Sequence, residues 1–133
     1  MNSSKKIKVL IAKVGLDGHD RGARVVSQLF RDKGMEVVYT GTLQTPQMVV
    51  KTAEEEDVDV IGLSFLAGGH LVHTKKVIDL LKEKKLEDIL VILGGVIPKQ
   101  DIPLLEELGV SAVFRADSTV ESMVRHIREN IVD

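Results

Sequence analysis

Cysteine is absent from all 133 residues, which excludes disulfides, thiolate metal sites and cysteine nucleophiles and suits a reducing compartment. Tryptophan is absent too. Three phenylalanines and one tyrosine are too few for the aromatic platforms on which single-strand binders stack bases. Charge of neither sign dominates: 18 lysines and arginines stand against 20 aspartates and glutamates, a net charge of −2. Nothing electrostatic therefore points to nucleic acid or to an anionic membrane surface. Long apolar runs are missing as well. The first one, Ile7 to Ala12, is too short for a membrane span or for the apolar region of a signal peptide. The expectation is a cytoplasmic, soluble protein. What is present is an ordinary globular mixture, 44% hydrophobic and 29% charged, in a length that suits one domain over residues 1–133.

Apolar runs of strand length alternate with segments of helical period to the end of the chain. The pattern predicts strands at Ile7 to Val14, Glu36 to Tyr39, Val58 to Ser64, Ile89 to Leu93 and Ala112 to Phe114. Between them it predicts helices at Arg21 to Lys33, Pro46 to Asp57, Leu71 to Lys84, Ile102 to Leu108 and Thr119 to Ile131. Thr45-Pro46 reads as a cap followed by proline at the first helical position, and Gly34 and Gly109 read as helix stops. The strands are rich in Val, Ile and Leu with little polar alternation, as parallel strands covered on both faces are. The fold class is α/β, a doubly wound five-stranded parallel sheet. Ligands in such sheets sit beyond the carboxyl ends of the strands, so the loops there are the ones to inspect.

The loop after the first strand reads Lys13-Val-Gly-Leu-Asp17-Gly18-His19-Asp20-Arg21-Gly22, long for its kind. Three glycines let its backbone turn tightly and approach a bulky ligand, and it brings a carboxylate and an imidazole together. A carboxylate that accepts from one ring nitrogen fixes the tautomer and makes the other nitrogen a better metal ligand. Read alone, His19 is equally a solvated loop residue, Lys13 a solvated strand-end lysine, and Gly94-Gly95 a tight exit from the fourth strand. Ser64 alone reads as a hydroxyl bonded to neighbouring backbone.

Asp17-x-His19-x-x-Gly22 resembles the Asp-x-His-x-x-Gly signature of cobalamin-binding domains, and two further loops extend the likeness. Ser64-Phe-Leu66 stands where that family has Ser-x-Leu, and Gly94-Gly95 where it has Gly-Gly. The resemblance implies a Rossmann-like or flavodoxin-like fold holding cobalamin base-off. His19 would be the lower axial ligand of cobalt, and Asp17 and Lys13 would orient it. Gly94 and Gly95 would leave room for the nucleotide tail, Ser64 would hydrogen-bond the tail's base, and Leu66 would pack against the tail or corrin.

Lys13 to Gly22, Leu66-Ala-Gly68-Gly-His70 and Gly94-Gly-Val-Ile-Pro98 look most like methylmalonyl-CoA mutases. The likeness implies Gly18, Asp20, Arg21 and Gly68 as further cofactor contacts. After the fifth strand that family has Phe-Gly-Pro-Gly-Thr, whereas this chain has Phe114-Arg-Ala-Asp-Ser118, with Phe114 and Ser118 at tail-contacting positions. The small subunit of the 2-hydroxyisobutyryl-CoA mutase kind likewise lacks Gly-Pro-Gly there. What the resemblance implies is an isomerase subunit carrying adenosylcobalamin. Its partner would be a large (β/α)₈-barrel subunit that binds the acyl-CoA, since a barrel alone needs about 250 residues. The alternative is a corrinoid methyl carrier. Such proteins typically bear a helical cap domain before the first strand, where this chain has only residues 1–6, and the expectation therefore falls on the mutase. A phosphoacceptor domain would share the fold but needs an acceptor Asp after strand three, where Leu63-Ser64-Phe65 stands. His70 and His73 open the third helix, at a ligand-facing wall or on the surface, and His126 is expected to be solvated.

Overall fold

The computed structural model describes residues 6–13, 21–65, 69–115 and 117–131, with the side chain of Arg21 excepted. Among these residues five strands alternate with five helices: β1 (Lys8–Lys13), α1 (Arg21–Asp32), β2 (Glu36–Tyr39), α2 (Pro46–Glu56), β3 (Val60–Phe65), α3 (His70–Glu83), β4 (Leu90–Gly95), α4 (Ile102–Leu108), β5 (Ala112–Arg115) and α5 (Val120–Asn130). A 3₁₀ turn, Lys99–Asp101, leads into α4. All strand pairs are parallel and their order is β2-β1-β3-β4-β5, the flavodoxin-like doubly wound arrangement. The winding reverses between β1 and β3.

Local signals explain the boundaries. The Thr45 side chain accepts from the Met48 N–H at 3.1 Å, and Pro46 follows it at the first helical position. Gly34 and Gly109 take positive φ, 91° and 119°, as helix stops do. β3 begins two residues later than the apolar pattern suggests. The Val58 N–H is used to close α2 onto the Ala53 carbonyl at 3.2 Å, so pairing with β4 starts at Val60. β4 in turn extends to Gly95, which pairs with Phe65.

Two apolar layers flank the sheet. On one face α2, α3 and α4 cover Leu10, Ile61, Leu63, Val91 and Leu93 with Val49, Val50, Val77, Leu81 and Leu105. On the other, α1 and α5 cover Val9, Ile11, Val60 and Ile92 with Ala23, Phe30, Val124 and Ile127. The inward face of α1 follows the helical period, and the Ser27 hydroxyl that falls on it donates back to the Ala23 carbonyl at 2.8 Å. Among the described residues no helix is long and apolar enough to cross a membrane.

Candidate functional site

Register places four residues singled out in the sequence side by side. Lys13 pairs with Ser64, Ser64 with Gly94, and Gly94 with Phe114, so one row runs across β1, β3, β4 and β5 near their carboxyl ends. Side chains in one row of a parallel sheet share a face. This face is the one covered by α1 and α5, because Ile11, Ile92 and Ala112 stand two residues earlier on their strands and belong to that layer.

Between the row and the two helices lies a crevice of about 530 Å³. Its sheet side carries Gly62, Ser64, Gly94, Gly95 and Phe114, and its helix side carries Gly22, Ala23, Val120 and Met123, with Ser118 and Arg115 at the exit of β5. The crevice exists because the sheet is locally bare. Where Ile11 and Ile92 fill the layer, Gly62 and Gly94 present no side chain, and Ser64 a short one. Its size is typical of small-molecule sites, and it lies at the carboxyl edge beside the reversal of winding, where the fold binds ligands.

The two glycines ending β4 have different causes. A Cβ on Gly95 would be driven into the Phe65 carbonyl oxygen, and its φ is +110°, so the backbone itself demands glycine there. A Cβ on Gly94 would meet only the Phe114 carbonyl oxygen, at 3.6 Å, an ordinary contact. Gly94 is therefore dispensable to the fold and open toward the crevice. Gly22 is similar, with nothing within 4 Å of an added Cβ.

Asp17, Gly18, His19 and Asp20, together with Leu66 and Gly68, lie outside the described residues, as does the Arg21 side chain. Of the remaining site residues, Gly22, Ser64, Gly94, Gly95, Phe114 and Ser118 all line the crevice. Lys13 is not among its walls and is not a solvated lysine. It is 2% exposed, and its carbonyl accepts from the Gln44 N–H at 3.0 Å. Ser64 makes no hydroxyl bond to neighbouring backbone among the described residues, which leaves the group available to the crevice.

The histidines behave differently from the sequence reading. His126 is not simply solvated: its Nε2 lies 2.7 Å from the Ser111 hydroxyl, and its ring meets Phe114 edge-on at 5.8 Å. His70 is 8% exposed, and its Nε2 lies 2.7 Å from the Asp101 carboxylate, which ties the start of α3 to the 3₁₀ turn after β4. It does not line the crevice. Gly62, Asp101 and Arg115 were missed as individual residues. Gly62 carried a usable signal, since a lone glycine inside a strand marks a close approach. Asp101 carried none, because its partner lies 31 residues away. Among the described residues no cluster of three or more His, Asp or Glu could hold a metal ion.

A doubly wound sheet with a glycine-floored crevice at its carboxyl edge defines a ligand-binding α/β domain. The chain belongs to the B12-binding domain family, with residues 7–124 matched. It is 48% identical over 122 residues to the 2-hydroxyisobutanoyl-CoA mutase small subunit of Aquincola tertiaricarbonis, a match that covers 92% of this chain and 90% of that one. It is also 42% identical over 127 residues to the methylmalonyl-CoA mutase of Cereibacter sphaeroides, covering 96% of this chain and 18% of that one. In fold it resembles a cobalamin-binding protein from Desulfitobacterium hafniense, with a TM-score of 0.82 and 23% identity over 96% of this chain and 60% of that chain. It is thus a cobalamin-binding domain homologous to the small subunits of acyl-CoA mutases.

Proposed function

We propose that the chain is the cofactor-carrying subunit of an adenosylcobalamin-dependent acyl-CoA mutase of the methylmalonyl or 2-hydroxyisobutyryl type. It holds cobalamin base-off, with His19 as the lower axial ligand of cobalt. The observation that carries this reading is the crevice: six residues of the expected cofactor set wall one apolar slot, and glycine forms its floor. The residues fit the group. A flat nucleotide base needs a slot without side chains, which Gly22 and Gly94 leave, and a polar anchor, which the Ser64 hydroxyl offers.

When bound, adenosylcobalamin supplies a cobalt–carbon bond whose homolysis opens radical isomerisation. The work of this chain is to hold and orient. Asp17 fixes the His19 tautomer, and the buried Lys13 supports that carboxylate from the end of β1. Gly18, Asp20, Arg21, Leu66 and Gly68 complete the contacts from their loops, and Phe114 and Ser118 close the crevice at β5. Binding the acyl-CoA and excluding water from it fall to a large (β/α)₈-barrel partner, and the assembled enzyme is the isomerase.

Electron paramagnetic resonance of the cob(II)alamin complex prepared with nitrogen-15-labelled protein tests the ligation. Hyperfine splitting from a protein nitrogen is expected, and it disappears in His19→Ala. Splitting from the cofactor's own benzimidazole alone overturns the base-off assignment.

A further inference from the structure

Two loops at the carboxyl edge of the sheet, residues 66–69 after β3 and 96–98 after β4, are joined by a side-chain pair that does not line the crevice, His70 and Asp101. The loop after β4 is held from both neighbouring strands. The Val96 N–H donates to the Phe65 carbonyl at 2.8 Å, and the Arg115 Nε donates to the Ile97 carbonyl at 3.1 Å, which makes this loop a fixed reference for whatever is tied to it. The loop after β3 is tied to it at both ends. Phe65 enters that loop already paired with Gly95, and His70 leaves it with Nε2 2.7 Å from the Asp101 carboxylate, at the end of the 3₁₀ turn that continues the other loop. The Phe65 and His70 rings meet edge-on at 6.2 Å and close the span between them.

Both partners are turned away from local bonds. Asp101 stands at the N-cap of α4, where an aspartate ordinarily accepts from a first-turn N–H, and it makes no such bond. A carboxylate only accepts, so the His70 Nε2 carries the hydrogen it donates, and the buried Nδ1 has no partner among the described residues. Leaving a buried polar atom unpaired is costly. Gly69, at the N-cap of α3, has no side chain to close that helix, so the first turn of α3 takes its anchor from the neighbouring loop instead.

We infer that His70 and Asp101 are a positioning pair for cofactor binding: their bond fixes the end of the loop after β3, which carries Leu66 and Gly68 of the expected cofactor set. The inference rests on the cofactor reading above. Neither residue needs to touch the cofactor, since each acts through the loop. A loop held in its binding arrangement in the free chain loses little further entropy on binding, so breaking the pair lowers the competent fraction and weakens affinity in proportion.

The test titrates the full chain with cobalamin by its visible spectrum, well below the unfolding temperature, alongside the denaturant stability of each variant. Asp101→Ala and His70→Leu are each expected to weaken cobalamin on the order of tenfold, and the double variant to lose no more than either alone. Either single variant suffices should the other fail to fold. His70→Gln, whose amide nitrogen reaches the Nε2 position and donates to Asp101, recovers most of the affinity. Thr45→Ala, which removes the cap of α2 and touches neither loop, loses stability and keeps the wild-type affinity. Wild-type affinity in either single variant overturns the inference, as do additive losses in the double variant, a glutamine variant no better than leucine, or an equal loss in Thr45→Ala, which would make affinity a reflection of stability alone. Failure of the wild-type chain to take up cobalamin overturns the cofactor reading itself, and is distinguished by being independent of residues 70 and 101.

Discussion

Adding one methyl group to Gly94 should move stability and cofactor affinity in opposite directions. The added Cβ meets nothing closer than the Phe114 carbonyl oxygen at 3.6 Å, and the backbone there is not left-handed. Gly94→Ala therefore gains stability through the unfolded chain, about 0.4–1 kcal/mol, or about 1–4 °C in Tm. The same methyl projects into the 530 Å³ crevice at its floor. Overpacking a filled site costs roughly 1–3 kcal/mol, so cobalamin affinity should fall about five- to hundredfold. Gly95→Ala is the control with the opposite logic. Its φ of +110° and the Phe65 carbonyl in its path make it destabilise the fold, by at least about 1–3 kcal/mol. Thermal unfolding followed by circular dichroism reads stability, and spectral titration with cobalamin reads affinity. If Gly94→Ala melted below wild type, or bound cobalamin as tightly, the assignment of Gly94 to ligand space and of Gly95 to backbone geometry would be refuted.

Other expectations concern separate parts of the molecule. Asp17→Asn should weaken cobalamin binding by about 10- to 100-fold, the usual effect of removing a partner of a metal-bound histidine; collapse of acyl-CoA binding in the assembled enzyme with cobalamin affinity intact would place Asp17 at a substrate site instead. Asp101→Ala leaves the buried His70 without its partner and should cost about 1–3 kcal/mol in a denaturant titration, with an unchanged midpoint counting against the contact. Thr45→Ala removes the α2 cap and should cost about 1 kcal/mol by the same measurement, while cobalamin affinity stays at the wild-type value. Mutase turnover should require a second polypeptide, so acyl-CoA isomerisation by this chain with adenosylcobalamin alone would contradict the division of labour.

The sequence made the strands and helices legible because period and punctuation agreed: Thr45-Pro46 starts α2, Gly34 and Gly109 stop α1 and α4, and each apolar run is a strand. What period does not carry is register. That Lys13, Ser64, Gly94 and Phe114 form one row follows only from strand pairing, and its last three members turn separate motifs into one crevice wall. Nor does the pair Gly94-Gly95 reveal that one glycine serves the backbone and the other the space beyond it. His126 was misread because its partner Ser111 is remote in sequence and precedes β5. The roles proposed for Asp17 and His19 rest on resemblance to a family signature alone, since a carboxylate and an imidazole in one loop are otherwise unremarkable and both residues lie outside the described ones.

The two sides of the sheet are not equals. The α2–α3–α4 side is a continuous apolar layer, whereas the α1–α5 side gives part of its thickness to the crevice. In the proposed binding mode a nucleotide base lodged there would take the place that side chains occupy on the opposite side, so cofactor and polypeptide would share one hydrophobic layer. The free energy of binding is then delivered to half of the molecule. Amide hydrogens of α1 and α5, which Arg128 and Lys33 already tie together through a 2.8 Å bond, should gain exchange protection when cobalamin enters, and those of α2 and α3 should keep what they had. A saturating ligand contributes about 2.7 kcal/mol of stability at a hundred times its Kd, and local opening of the α1–α5 side is the process it suppresses. With the cofactor bound as proposed, its occupancy would be registered on one side of the sheet and not on the other.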